Sequence, residues 1–264
     1  MIDSVCRWFR SKSLSVLIFL TISLTFVCAG FAVWKYWYQF HAFGLSDSTE
    51  KWGQFGDFIG GVLNPLLGLA SIIIVCVTLY TTSKFGAKQS FETLLFELIK
   101  IHRENLFSIE IVYPENSVKG RQCFDDFLDE IRWNYDHEVY DDTGNNSANR
   151  LTDSVNKFFD DFNNQNELGH YYRNLYLIFK HIDESFVLSK VEKTKYAKIV
   201  RAQMSSAETN FLFFNCMSKR GTAFKRFIEE YSLLQGLNSE LLGNLGVDNT
   251  VLFSLFDGKA YEDH

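Results

Sequence analysis

The sequence predicts an all-α protein, with two N-terminal transmembrane helices followed by a cytoplasmic helical domain. Two uncharged apolar runs, 13–34 and 58–83, lie within the first third of the chain. Beyond Lys84 the apolar residues recur at a period near 3.6, and no segment sustains the alternation of a half-buried strand. A length of 264 residues suits one or two domains. Aromatic residues at 16%, with 26 Phe, exclude a disordered chain. The net charge of −6 argues against broad binding to nucleic-acid backbones, which needs a basic face. That charge is unevenly divided: residues 1–83 carry +1 and the remaining 181 carry −7.

Residues 1–12 form a basic N-terminus with Arg7, Arg10 and Lys12. Residues 13–34 then carry no charge, and Leu14 to Val33 alone supply the roughly 20 apolar residues that cross about 30 Å of hydrocarbon. A cleaved signal peptide has an apolar core of only about 7–15 residues, and a lipoprotein site at Cys28 wants a small residue where Val27 stands. The run therefore reads as transmembrane helix 1. A short loop, 35–57, holds 2 basic and 3 acidic residues, and transmembrane helix 2 follows at 58–83, closed by Lys84 and Lys88. The excess of Arg and Lys before helix 1 and after helix 2 places both ends, including the domain 84–264, on the cytoplasmic side. The loop then faces the periplasm. Trp34, Tyr36, Trp37, Tyr38 and Trp52 sit at the outer ends of both helices, where amphipathic rings prefer the headgroup layer.

Helix 2 carries more than an anchor requires. Gly53, Gly56, Gly60, Asn64, Gly68 and Ser71 recur at spacings of 3, 4, 4, 4 and 3, which aligns small and polar groups on one helical face. Pro65 withholds a donor from the carbonyl of Gly61, and Asn64 offers an amide at the same depth. Together with Asp57 and Gly61, these residues form the expected packing or pore face: Gly53, Gly56, Asp57, Gly60, Gly61, Asn64, Pro65 and Gly68. Small-residue faces serve packing within one chain and between copies alike, so the residues leave both open.

In the cytoplasmic domain the apolar stripes mark successive helices. Phe91, Leu94, Leu95, Leu98 and Ile101 form the first; Phe124, Phe127, Leu128 and Ile131 the second; Val155, Phe158, Phe159 and Phe162 the third. Tyr172, Leu175, Tyr176, Phe179 and Ile182 follow, then a helix over 191–218, then Phe224, Phe227, Ile228 and Tyr231. Turn formers at Tyr113–Lys119, Asp141–Asn149 and Leu188–Lys190 separate them. Residues 124–161 carry −8, which reads as a solvated face or as a docking surface for a basic partner.

Enzyme signatures are absent. Five cysteines form no C-x-x-C pair, the six histidines form no metal-ligand pattern, and no phosphate-binding glycine loop or nucleophile elbow occurs. No cofactor, no metal and no catalysis are expected. One alternative is a membrane-tethered ribonuclease of the HEPN type, whose Arg-x4–6-His signature is matched in spacing by Arg132 and His137, although Trp133 replaces the usual polar residue. Another is a non-toxic receptor that relays a signal. More specific is a polar stripe on the helix expected over 191–218: Arg201, Ser205, Glu208 and Asn215. With His170, Arg173 and Asn174 of the preceding helix, these residues suggest a hydrogen-bonded seam in which Arg173 forks onto Glu208.

These residues resemble a known family. The stretch Trp52-Gly-Gln-Phe-Gly-Asp57-Phe-Ile-Gly-Gly61-Val-Leu-Asn64-Pro65 is similar to the second-helix motif of the phage abortive infection (AbiC-like) family of bacterial membrane proteins. Gly169-His170-Tyr171-Tyr172-Arg173-Asn174-Leu175-Tyr176, Arg201-Ala202-Gln203-Met204-Ser205-Ser206-Ala207-Glu208 and Phe213-Phe214-Asn215-Cys216 resemble its cytoplasmic core. The resemblance spans roughly residues 52–235. It implies a dormant toxin that compromises the bacterial inner membrane and kills the infected cell when released; the small-residue face of helix 2 adds the expectation of a homo-oligomer among the membrane lipids. Members with two N-terminal helices include the transmembrane effector of a retron, which implies a reverse transcriptase with its branched DNA–RNA as partner.

Overall fold

A computed structural model describes residues 2–44, 47–137, 147–237 and 253–262. The chain is all-α, with 81% of the described residues helical and 3% in strands. It divides into two compact units, Met1–Ala87 and Lys88–His264.

The first unit contains α1 (Ile2–Phe40) and the leading part of α2 (Thr49–Ser108). Both helices are long and apolar enough to cross a membrane. Only 6% of the apolar window in α1 is buried, and none of that in α2, whereas a core helix of a water-soluble domain hides most of its surface. The helix α2 continues through Pro65.

The second unit adds a short hairpin, β1 (Glu110–Val112) and β2 (Ser117–Lys119), then α3 (Cys123–His137), α4 (Ser147–Asp160), α5 (Phe162–Asp183), α6 (Lys190–Arg201), α7 (Ser206–Met217) and α8 (Lys225–Tyr231). The antiparallel strands pair Ile111 with Val118. Three residues per strand are too few to leave a period-2 signal; β2 falls within the turn-rich Tyr113–Lys119, and β1 lies just before it. Of the turn-rich Asp141–Asn149, residues 141–146 lie outside the described residues.

Local chemistry sets the helix starts. The Asp161 carboxylate accepts from the N–H groups of Asn163 and Asn164 at the head of α5, and Ser189 with Glu192 forms a reciprocal capping box on α6. A second capping box, Ser205 with Glu208, opens α7 and corrects the expected continuous helix over 191–218. The chain leaves α6 at Ala202 and re-enters helix at Ser206, because Ser205 takes an extended conformation to cap α7.

The core is aromatic. Phe211 packs against Phe124, Phe127, Phe158 and Phe159 with ring centroids 5.3–6.3 Å apart, mostly edge to face. Phe179, Phe224, Phe227 and Tyr231 form a second cluster. On α2 the buried stripe is Phe91, Leu95, His102 and Leu106. The expected members Leu94 and Ile101 instead face outward, 50% and 42% exposed. In the acidic segment Asp125, Asp129, Glu130, Asp136, Asp153, Asp160 and Asp161 are exposed, which suits a solvated face and a docking surface alike.

Candidate functional site

Within the first unit, α1 meets one side of α2. Tyr36 packs on Phe55 and Phe58 at centroid distances of 4.7 and 5.6 Å. A groove of about 630 Å³ runs between Cys28, Phe31 and Ala32 of α1 and Gly61, Pro65 and Leu66 of α2. The small-residue face turns elsewhere. A Cβ built at Gly53, Gly56, Gly61 or Gly68 meets nothing within 4 Å, and one at Gly60 meets only the amide of Asn64 in its own helix, at 3.7 Å. Asp57 and Asn64 are exposed. Gly61 and Pro65 thus belong to the groove with α1, whereas Gly53, Gly56, Asp57, Gly60, Asn64 and Gly68 stand on a face that no described residue of the same unit covers.

In the second unit the polar centre is Glu208, 1% exposed at the head of α7. Three donors converge on its carboxylate. The Ser205 N–H reaches Oε2 at 2.8 Å, the Tyr171 hydroxyl reaches Oε1 at 3.0 Å, and the Arg121 Nε reaches Oε2 at 3.1 Å. Burial pushes the Tyr171 hydroxyl well above its ordinary pKa, and the neighbouring Glu208 charge adds to that, so the hydroxyl remains a donor. Arg121 arrives from the hairpin. Gly120 turns the chain at φ +65°, a conformation that suits glycine, and its N–H bonds the Ile109 carbonyl at 2.8 Å. This turn delivers the Arg121 guanidinium, whose Nη2 also donates to the Gln203 carbonyl at 2.8 Å.

The expected seam is therefore only partly assembled. Arg173 is exposed and donates to the Gly169 carbonyl of its own helix at 2.9 Å, so it does not fork onto Glu208. Arg201 donates to the Ser232 carbonyl at 2.8 Å. His170 is exposed, and Asn174 and Asn215 are buried, with the Asn174 Oδ1 meeting no partner. The physical reason is the break between α6 and α7, which removes Arg201 and Glu208 from a common helical face. The S-x-x-E capping signal at Ser205–Glu208 announces that break in the sequence. Arg121 had no comparable signal, since it is 87 positions from Glu208. As for the ribonuclease alternative, five helical positions separate Arg132 from His137, which puts them on different faces of α3. The His137 imidazole Nδ1 lies 3.0 Å from the Trp133 carbonyl, and the ring stacks on Trp133. The arrangement gives that reading no support.

Residues 163–241 match the family model putAbiC, described as Putative phage abortive infection protein. The match lies within the second unit. The match begins in α5 and takes in Tyr171, Ser205 and Glu208, and it supports a role in phage defence. It covers just under a third of the chain, a narrower span than the resemblance read from the motifs, and the Trp52–Pro65 motif and Arg121 lie outside it. No curated protein and no solved structure matches the chain.

Proposed function

We propose that the chain is a membrane-embedded effector of abortive infection, which compromises the inner membrane of the infected bacterium when released from inhibition. The observation that carries the reading is the open face of α2. Glycine and asparagine at four-residue spacing in an apolar helix allow close backbone approach, and in one copy no described residue covers that face. A second copy is the partner that fits, because an exposed Asn64 amide in hydrocarbon is satisfied best by another helix or by a water-lined pathway. Both chain ends lie in the cytoplasm, in keeping with Arg7, Arg10, Lys12, Lys84 and Lys88. The resemblance to retron effectors suggests a reverse transcriptase with its branched DNA–RNA as the inhibiting partner. No catalysis is required of the second unit in this reading; it holds the helices dormant.

Gly60→Leu and Gly68→Leu test it. Leucine keeps the segment apolar, so abundance in the membrane fraction is expected to be normal while phage protection and dye entry are lost. Leu63→Ala and Leu66→Ala, off that face, are expected to be milder. Total RNA is expected to stay intact throughout. Full activity of both glycine variants alongside inactive off-face variants would overturn the proposal.

A further inference from the structure

Glu208 forms one wall of a cavity of about 290 Å³ in the second unit, between α2, the Gly120–Gln122 turn, α5, α6 and the head of α7. The remaining polar lining is His102, Arg103, Arg121 and Gln203, and the walls include Ile99, Phe107 and Val200. His102 is 5% exposed, and neither of its ring nitrogens meets a hydrogen-bond partner of good geometry among the described residues. Its ring packs 4.5 Å from that of Tyr171. Burial lowers its pKa from 6.5 to about 4, although the Glu208 charge and the nearby Tyr171 backbone both favour the protonated ring. At pH 7 the imidazole is therefore neutral, with one donor and one acceptor. Left unmet in a protein interior, each costs stability. A half-turn about χ2 exchanges the nitrogens with ring carbons at little cost in shape.

The charges around this space do not cancel within the protein. Both oxygens of Glu208 are already occupied by three donors. Arg121 commits Nε and Nη2, which leaves Nη1. Arg103 is exposed and makes no hydrogen bond or ion pair among the described residues. The uncommitted capacity is thus guanidinium donors together with the donor and acceptor of one imidazole, set against apolar and aromatic walls. Guanidinium forks match phosphate oxygens, and Phe107, 64% exposed, offers a face for a flat ring. The volume holds about ten waters and sits at the low end of small-molecule sites, which excludes a dinucleotide. A bare phosphate would leave His102 unmet, and an uncharged ring would leave Arg103 so. We propose that this cavity binds a nucleoside monophosphate, with its phosphate between Arg103 and Arg121 and its base against Phe107, hydrogen-bonded to His102. The proposal stands independently of how the first unit acts on the membrane.

The test is calorimetric titration of the full chain in lipid nanodiscs with AMP, GMP, CMP and UMP, with the corresponding nucleosides, and with inorganic phosphate. At least one nucleotide is expected to bind saturably at one site per chain. Its nucleoside and inorganic phosphate are expected to bind at least 10-fold more weakly. Arg103→Ala removes an exposed, uncommitted side chain, so folding is not at stake, and a loss of at least 10-fold is expected. Lys195→Ala, an exposed cation on α6 outside the cavity, is expected to leave affinity unchanged. Failure of all four nucleotides to bind would overturn the proposal, as would equal affinity for inorganic phosphate or an unaltered affinity in Arg103→Ala.

Discussion

Replacing Glu208 by alanine removes the acceptor on which three donors converge. The Tyr171 hydroxyl, fully buried, is then unsatisfied at a cost of about 1–3 kcal/mol. Loss of the reciprocal Ser205–Glu208 cap adds about 1 kcal/mol. The Arg121 pair adds at most about 1 kcal/mol, because that side chain is 54% exposed and screened by water. The sum is about 3 kcal/mol, or a fall of about 6–12 °C in Tm for a unit of this size. Glu208→Gln keeps the shape and one acceptor oxygen, and about a third of that loss is expected. Thermal unfolding of the full chain in detergent micelles, followed by circular dichroism, reads the effect, because apolar helices within a micelle resist melting. Double-mutant cycles then identify the partner. Coupling of Glu208 to Arg121 is expected at about 0.5–1 kcal/mol, and coupling to Arg173 within about 0.3 kcal/mol of zero, since Arg173 bonds its own helix. A larger coupling at Arg173, or a loss below about 1 kcal/mol in Glu208→Ala, would refute the geometry.

Gly221→Ala is expected to cost about 3 kcal/mol or more, because a Cβ there would lie 1.9 Å from the Asn215 carbonyl oxygen and 2.4 Å from its carbon, so the end of α7 must move. A Tm within about 2 °C of the parent protein would contradict this. His102 gives a pH dependence of defined sign. The unfolded imidazole takes up a proton near pH 6.5 and the folded one only near 4, so stability present at pH 7 declines as the pH falls between those values, by up to about 3 kcal/mol. In His102→Phe the slope over pH 6.5–4 is expected to be shallower than in the parent, and an equal slope would show that the ring is not the titrating group.

The two apolar helices and the helical character of the rest were legible in the residues, because a 20-residue uncharged run and a 3.6-residue apolar period follow from local spacing alone. The aromatic stripes of α3, α5 and α8 were legible for the same reason: Phe124, Tyr172 and Phe227 recur where a helix must hide them. Spacing also aligned Gly60, Asn64 and Gly68 on one face. Which neighbour that face meets is a property of two helices, however, and only the tertiary structure turned α1 toward Gly61 and Pro65 instead. The partner of Glu208 was undecidable in the same way. Arg173 and Arg121 are equally good guanidiniums on paper, and the choice rests on a glycine turn at Gly120 that brings a residue 87 positions away within 3.1 Å. His102 reads in sequence as one histidine among six; its burial, its unmet nitrogens and its depressed pKa arise because packing around Tyr171 takes it out of water. Periodicity and local capping are written in neighbouring residues, whereas desolvation and ion pairing depend on which distant surfaces close over a group.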